Sequence, residues 1–227
     1  MTNRITEQPF CQTRVSGSVL FNKDCLLTLR EMEAESVDLV VTSPPYDDMR
    51  NYGHDTKFLF HLICNELCRV LKQGGVIVWV VGDQTKKGSE TMTSFKQAYS
   101  FVDNGLNLHD TMIYQTNKPP MNDKRYQSCF EYMFIFSKGK PTIFNAILID
   151  TLHPNVTNKG GNRDKNGTKK ERTYKNKTGG KKTKGNIWYI PRGSRSGDEY
   201  SRKHPATFPD ALANDHIISW SNEGDTV

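Results

Sequence analysis

Apolar and polar residues alternate along the first half of the chain in blocks that predict an α/β domain. Short runs rich in β-branched residues predict strands, and between them apolar residues recur at helical spacing. The predicted strands cover residues 17–21, 37–42 and 76–81, and the predicted helices cover 26–33, 58–71 and 91–103. The first strand, the first helix and the second strand form a strand–helix–strand unit. Strands that alternate with helices favour a mainly parallel sheet with right-handed crossovers.

The segment 58–71 shows the clearest helical pattern. Its apolar residues at 59, 63, 67 and 70 are spaced four, four and three apart, and Gly74 and Gly75 follow as an expected helix end. The next run, VIVWVV at 76–81, is continuously apolar and predicts a strand buried on both faces.

After residue 107 the pattern changes. The segments LHDTMIYQT (108–116) and FEYMFIFSK (130–138) are aromatic and β-branched, and they predict two strands that pair antiparallel at one sheet edge. Helical spacing returns from Pro209 to Ser221, with Leu212 and Ile217 or Ile218 as the expected buried anchors.

The segment between these regions is strongly basic. Residues 151–203 contain fifteen Lys or Arg against four Asp or Glu, so this segment carries about +11 and the remainder about −5 of the net +6. Such asymmetry is typical of proteins that bind a polyanion, above all nucleic acid. The alternative is a solvated, partly disordered basic loop. One apolar island, NIWYIP, interrupts the segment at 186–191.

The whole composition fits a protein of the cytoplasm. The chain has 227 residues, enough for a well-packed domain with an insertion. No apolar run is long enough to cross a bilayer. The five cysteines are scattered, which is a poor disulfide framework and fits a reducing compartment.

The most specific motif is Ser43-Pro44-Pro45-Tyr46, which directly follows the strand VDLVVT. Two prolines fix the backbone and provide no N–H groups, so the nearby carbonyls and the Ser43 hydroxyl can face a pocket as acceptors. Tyr46 adds an aromatic face. The motif suits recognition of an amino group on a planar ring, and the alternative is a simple turn that ends the strand.

Polar residues follow each of the first three predicted strands, namely Asp24, Ser43 and the pair Gly82-Asp83. Ligands of open α/β sheets bind at the carboxyl ends of the strands, so one rim of the sheet is expected to collect these residues.

Several segments together resemble the amino-methylating DNA methyltransferases. They are TSPPY after VDLVV, RVLKQGG before the next apolar strand, FEYMFIFSK, and HPATFPDAL at 204–212. The order of these segments resembles the permuted β group. The resemblance implies a Rossmann-like α/β methyltransferase sheet, mainly parallel with an antiparallel edge strand, plus a basic inserted arm. It also implies S-adenosyl-L-methionine as cofactor and double-stranded DNA as partner.

The resemblance assigns roles to individual residues. The catalytic residues are expected to be Ser43, Pro44, Pro45 and Tyr46, and the cofactor-binding residues to be Asp24, Cys25, His204, Pro205 and Phe208. The charge pattern adds Lys169, Lys170, Lys181, Lys182, Arg192 and Arg195 as expected DNA contacts. Asp24 has an equal alternative as the N-cap of the first helix. No metal is expected, although His61, Cys64 and Cys68 share one helical face.

Ser at the first position of the motif resembles the cytosine-N4 group more than the adenine-N6 group. The expected function is therefore methylation of cytosine N4 in flipped bases, with adenine N6 as the alternative. The expected domains are a catalytic core (1–150), a basic DNA-contacting region (151–200) and a cofactor-side helix that returns to the core (201–227).

The family pattern continues beyond Gly224-Asp225-Thr226-Val227 into a glycine-rich turn that holds the cofactor. The sequence is therefore expected to be truncated or to be completed by a second polypeptide, and an inactive DNA-binding fragment is a further alternative.

Overall fold

The computed structural model describes residues 12–15, 17–46, 58–117, 124–151, 158–174, 180–191 and 207–227. The helices are α1 (Cys25–Glu31), α2 (Phe60–Val70), α3 (Thr93–Asp103) and α4 (Asp210–Trp220). The first eight strands are β1 (Gln12–Val15), β2 (Ser18–Phe21), β3 (Val37–Thr42), β4 (Leu71–Val81), β5 (Thr85–Lys86), β6 (Ser89–Glu90), β7 (Asn107–Gln115) and β8 (Phe130–Ser137). The others are β9 (Leu148–Asp150), β10 (Asn158–Arg163), β11 (Lys169–Tyr174), β12 (Lys181–Thr183) and β13 (Ile187–Tyr189).

In the described part of the chain, five strands form the main sheet in the order β13-β7-β8-β4-β3. The pairs β3–β4 and β7–β13 are parallel, and β8 runs antiparallel to both β4 and β7. Four of the five strands therefore share one direction. The expected fold class, a mainly parallel α/β sheet of the methyltransferase type, is confirmed, and its antiparallel strand β8 lies between β4 and β7.

The sheet separates two apolar cores because the side chains of each strand alternate between its faces. On one face, Ile77, Trp79 and Phe136 pack with residues of helices α1, α2 and α3. On the other face, residues of β4, β8 and β13 pack against α4. Strand β4 is buried on both faces, as the continuous apolar run predicts.

The first predicted strand forms, but it does not join the main sheet. Strand β2 pairs antiparallel with β1 in a separate two-stranded hairpin. Its side chains are mostly exposed, with Leu20 57% and Phe21 43% accessible, so it lacks the two-sided burial of a sheet strand. The predicted order of strand, helix and strand is therefore found, but its first strand lies outside the main sheet. The outer edge of β3 is instead met by Thr226, whose carbonyl accepts hydrogen bonds from the N–H groups of Asp38 and Leu39.

The glycines after α2 lie inside strand β4 rather than at a helix end. Helix α2 stops at Val70 and β4 begins at Leu71, so the predicted helix end at Gly74 and Gly75 is wrong. The pairing with β3 shifts register over this stretch, which gives the strand a bulge that two glycines accommodate.

Helix α4 uses other anchors than its apolar pattern suggests. Leu212 is fully buried as expected, but Ile217 is 38% and Ile218 51% exposed, so these two predicted anchors are wrong. His216, Ser219 and Trp220 are buried in their place. The helix therefore turns one imidazole and one indole toward the sheet.

The basic region contains short antiparallel strand pairs. Strands β10 and β11 form one hairpin, and β9 pairs with β12. The apolar island behaves differently, because β13 extends the main sheet beside β7 and buries Trp188.

Candidate active site

The Ser43–Tyr46 corner lies where β3 leaves the sheet. Pro44 is buried, and Ser43, Pro45 and Tyr46 are half-buried. The Ser43 and Tyr46 hydroxyl oxygens are 2.8 Å apart, and the Tyr46 hydroxyl lies 2.9 Å from the Glu131 carboxylate. The motif is thus a hydrogen-bonded corner rather than only a turn.

A cavity of about 460 Å³ opens beside this corner. Ser43, Pro44 and Pro45 form one side of the cavity, and the remainder is largely apolar. The apolar wall comes from the β2 hairpin, helices α1 and α2, and Trp79. Mostly apolar walls with a few polar groups at one edge are typical of cofactor and small-molecule sites.

Asp24 and Cys25 lie at the start of α1, next to this cavity. The Asp24 carboxylate accepts hydrogen bonds from the N–H groups of Leu26 at 2.9 Å and Leu27 at 3.3 Å, so it caps the helix as the alternative interpretation predicts. The Cys25 side chain lines the cavity. Burial, and then the nearby Asp24 charge, raise the pKa of the Cys25 thiol, which favours the neutral thiol.

Gly82 and Asp83 lie on the same rim as Ser43 because β3 and β4 are parallel neighbours. The Asp83 carboxylate accepts hydrogen bonds from the N–H and the hydroxyl of Ser94 at the beginning of α3. Asp83 therefore holds the helix in place. Of the three predicted rim positions, Ser43 and the pair Gly82-Asp83 follow strands of the main sheet, whereas Asp24 follows the hairpin strand β2.

The other predicted residues are distributed more widely. Phe208 is half-buried and packs against the core on the α4 face, outside the lining of the cavity. Lys169, Lys181 and Lys182 are exposed, and Lys170 lies in the hairpin strand β11. His204, Pro205, Arg192 and Arg195 lie outside the described residues.

The cysteine pair of α2 is part of the core. Cys64 is buried and Cys68 is half-buried. A hydrogen bond with Cys68, together with burial, raises the pKa of the Cys64 thiol. In the described part of the chain, no group of three or more His, Cys, Asp or Glu side chains could hold a metal ion. No helix described there is long and apolar enough to cross a membrane.

Two contributors to the site escape the sequence patterns. Glu131 belongs to the strand FEYMFIFS and is only 8% exposed. An acid in an otherwise apolar strand was the available signal, because burying a carboxylate is costly unless it is hydrogen-bonded. The second contributor is the hairpin strand β2, whose Leu20 and Phe21 line the cavity; its short apolar run does not reveal this position.

The family of this chain is shown by comparison of its sequence with known proteins. The sequence profile of a DNA methylase family, the N6/N4 methyltransferases, matches residues 37–227. The chain therefore belongs to this family, whose members are DNA amino-methyltransferases, and the resemblance inferred from the motifs is confirmed.

Individual relatives extend this finding. The orphan methyltransferase M.BamHII of Bacillus amyloliquefaciens is 50% identical over 199 residues, which cover 85% of this chain and 74% of that protein. The DNA adenine methyltransferase YhdJ of Escherichia coli (strain K12) is 27% identical over 230 residues, covering 93% of this chain and 70% of that protein. Among solved structures, the cytosine-N4-specific PvuII DNA methyltransferase matches with a TM-score of 0.61 and 17% identity. That match covers 89% of this chain and 70% of the other, and it shows a shared fold.

Proposed function

We propose that this protein transfers a methyl group from S-adenosylmethionine to the exocyclic N4 of a cytosine extruded from double-stranded DNA. One observation carries the proposal. A single cavity of about 460 Å³ is lined both by Ser43, Pro44 and Pro45, predicted to act on the target, and by Cys25, predicted to border the cofactor. The family supplies the cofactor and the class of substrate.

The corner suits the chemistry of an amino group. The lone pair of an exocyclic nitrogen is delocalised into the ring, which makes the nitrogen a poor nucleophile. Acceptors at Ser43 and at the Pro44 carbonyl would bind the amino hydrogens and favour a pyramidal nitrogen. Acceptors that are already in place also stabilise the positive charge that develops on nitrogen.

The apolar wall of the cavity fits the adenosyl part of S-adenosylmethionine, and Phe21 and Cys25 are the residues that would hold it. When bound, this cofactor supplies an activated methyl group on a sulfonium. The protein contributes by orienting the reactants. A well-aligned pair of reactants can lower the activation free energy by on the order of 7–11 kcal/mol without a covalent intermediate.

Tyr46 is proposed to stack on the extruded base. Extrusion costs a few kcal/mol, and stacking on an aromatic ring offsets part of this cost. The ring lies over Gly82, where a β carbon would be 3.4 Å from Tyr46 Cε2. The ring is outside the lining of the cavity, so this role requires the base to reach a part of the ring that Gly82 does not contact.

Adenine N6 is the second candidate target. It is favoured by the relative YhdJ, which is named as a DNA adenine methyltransferase and covers 93% of this chain. Cytosine is favoured by Ser43 at the first position of the motif. Mass spectrometry of nucleosides from DNA treated with the protein and S-adenosylmethionine separates the two. N4-methylcytosine is the expected product. N6-methyladenine would instead identify adenine as the target base.

The substitution Ser43→Ala tests the corner. We expect methyl transfer to slow by about 100-fold, the usual effect of removing one fixed polar group that stabilises a transition state. DNA affinity should stay nearly unchanged because phosphate contacts dominate it. Single-turnover transfer of labelled methyl groups and a DNA-binding titration measure the two quantities.

Ser36→Ala is the matched control, since Ser36 precedes β3 at its opposite end and its hydroxyl donates to the Glu33 carbonyl in an exposed position. It should retain full activity. A fully active Ser43→Ala variant would remove Ser43 from the mechanism. A wild-type chain that binds DNA and transfers no methyl group would favour a DNA-binding protein without catalytic activity.

A further inference from the structure

Three side chains that are distant in sequence form one hydrogen-bonded chain at the rim of the sheet. The Ser43 hydroxyl lies 2.8 Å from the Tyr46 hydroxyl, which lies 2.9 Å from Glu131 Oε2. The Val80 carbonyl is a further neighbour of the Tyr46 hydroxyl, at 3.3 Å. This series of hydrogen bonds begins at Ser43, which lines the cavity, and ends at the buried carboxylate of Glu131.

Gly82 leaves room for this chain to cross the end of β4. Tyr46 follows β3 and Glu131 belongs to β8, so β4 lies between them. A β carbon at Gly82 would lie 3.4 Å from Tyr46 Cε2 and 3.5 Å from Glu131 Cγ. Any side chain larger than that of alanine would therefore push into the path that joins the two residues.

The chemistry of the groups sets the direction of the hydrogen bonds. An ionised carboxylate only accepts, whereas a tyrosine hydroxyl has one proton to donate. The shorter contact, to the charged acceptor Glu131, takes that proton in preference to the Val80 carbonyl. The Tyr46 oxygen then accepts from Ser43, whose own proton is thereby directed away from the cavity.

The other acid of the rim does not share this arrangement. Both oxygens of Asp83 accept from Ser94, one from its N–H and one from its hydroxyl. Of these two acids, Glu131 is the one that hydrogen-bonds to the Ser43–Tyr46 corner.

We infer that Glu131 is a positioning residue that, through Tyr46, fixes the Ser43 hydroxyl as a hydrogen-bond acceptor toward the target amino group. The inference rests on the proposed function and adds to it a residue that orients the Ser43 hydroxyl. Without the Glu131 carboxylate as a fixed acceptor for Tyr46, the hydroxyl proton of Ser43 is free to rotate into the cavity, where it would repel the amino hydrogens of the target.

The substitution Glu131→Gln tests the direction of these hydrogen bonds, because glutamine has nearly the same shape as glutamate. The amide can donate to Tyr46 as well as accept from it, so Ser43 loses its fixed orientation. We expect kcat to fall by about two- to thirteenfold, the range that corresponds to one hydrogen bond of ~0.5–1.5 kcal/mol. KM for DNA should change less than twofold.

A double-mutant cycle with Tyr46→Phe separates positioning from a general structural effect. If Glu131 acts through Tyr46, adding Glu131→Gln to Tyr46→Phe should lower kcat by less than twofold. The control Tyr132→Phe removes a hydroxyl from the neighbouring residue of β8, which stacks on Phe134, and it should keep wild-type kcat. Urea unfolding of each variant reports its stability.

Two results would overturn the inference: Glu131→Gln with wild-type kcat, or losses of the two single variants that multiply in the double variant. Both results presuppose an active wild-type protein. A wild-type protein that methylates no DNA would instead overturn the proposed function, so the two failures are distinguishable.

Discussion

At the scale of single residues, glycines determine how closely the backbone segments approach one another. Gly74 has φ +77°, a region that side chains disfavour, and a β carbon there would be 2.3 Å from Thr142 Cγ2. Its N–H also donates to the Lys138 carbonyl at 2.7 Å. Gly74 therefore holds the loop after β8 against the bulge of β4.

The substitution Gly74→Ala should destabilise the fold through both effects. Backbone strain at positive φ costs about 1–3 kcal/mol, and the contact with Thr142 adds to it. Gly88→Ala is the matched control, because Gly88 has φ +81° with no atom within 4 Å of the added carbon. Urea unfolding should show a larger loss for Gly74→Ala than for Gly88→Ala.

Thr142→Ser removes the methyl group that the new carbon would meet. In the Gly74→Ala background it should therefore restore part of the stability. If Gly74→Ala and Gly88→Ala lowered the free energy of unfolding equally, the Thr142 side chain would move away from the new carbon without a cost in stability.

At the scale of elements, helix α4 buries an ionisable group. His216 is fully buried, its ring stacks on Trp188 with centroids 4.6 Å apart, and its Nδ1 has no hydrogen-bond partner in the described structure. The pKa of His216 is lowered to about 4, chiefly by burial; the nearby Asp215 charge opposes this shift and the Lys184 charge adds to it. The folded protein therefore keeps this imidazole neutral.

This shift predicts a loss of stability in mild acid. The pKa of His216 is about 4 in the folded state and near 6.5 in the unfolded chain, so the unfolded chain binds more protons between these values. The stabilisation is complete above the unfolded pKa and is lost as the pH falls toward the folded one. From pH 7.5 to pH 5 the contribution of His216 should fall by about 2 kcal/mol.

Urea unfolding of the wild type and of His216→Leu at both pH values measures this contribution. The variant should lose about this much of the pH dependence, whatever its absolute stability. His61→Gln, at an exposed position of α2, should retain it. A His216→Leu variant with the full wild-type slope would show that other groups cause the acid sensitivity.

At the scale of the whole molecule, positive charge is concentrated in one part of the chain. Residues 151–203 carry about +11 and the remainder about −5. The described part of this region consists of short strand pairs with exposed lysines, while its apolar strand β13 belongs to the main sheet. Exposed cations on small hairpins are suited to phosphate contacts, which carry affinity without sequence information.

The salt dependence of DNA binding tests whether the lysines of the basic region contact DNA phosphates. Each lost phosphate contact lowers the slope of log K against log salt by about 0.9. Neutralising Lys181 and Lys182 to Gln should therefore reduce the slope by up to about 2. A fluorescence titration at several salt concentrations measures it.

Neutralising Arg30 and Lys140 gives the matched control, because it removes the same charge from exposed positions outside the basic region. Its slope should stay at the wild-type value. If Lys181 and Lys182 leave the slope unchanged, strand β12 does not contact the DNA backbone.

Local patterns predicted most of the main sheet correctly. Strand β3 has the predicted bounds, and β7 and β8 pair antiparallel as their composition indicates. The errors occurred where the pattern was short or ambiguous. The run before Asp24 has too few apolar residues to show whether it pairs with β3 or with β1, and Ile217 and Ile218 are apolar without being anchors.

The sequence by itself determined the Ser43–Tyr46 corner, the strand that precedes it and the methyltransferase family, because backbone restriction by proline and apolar periodicity act over a few neighbouring residues. Only the tertiary structure decided that β13 completes the sheet, that the β2 hairpin lines the cavity and that Glu131 reaches Tyr46 from 85 positions away. Such contacts depend on how strands order themselves to bury both faces of the sheet. That order is a property of the whole packed core, which no local segment of the chain contains.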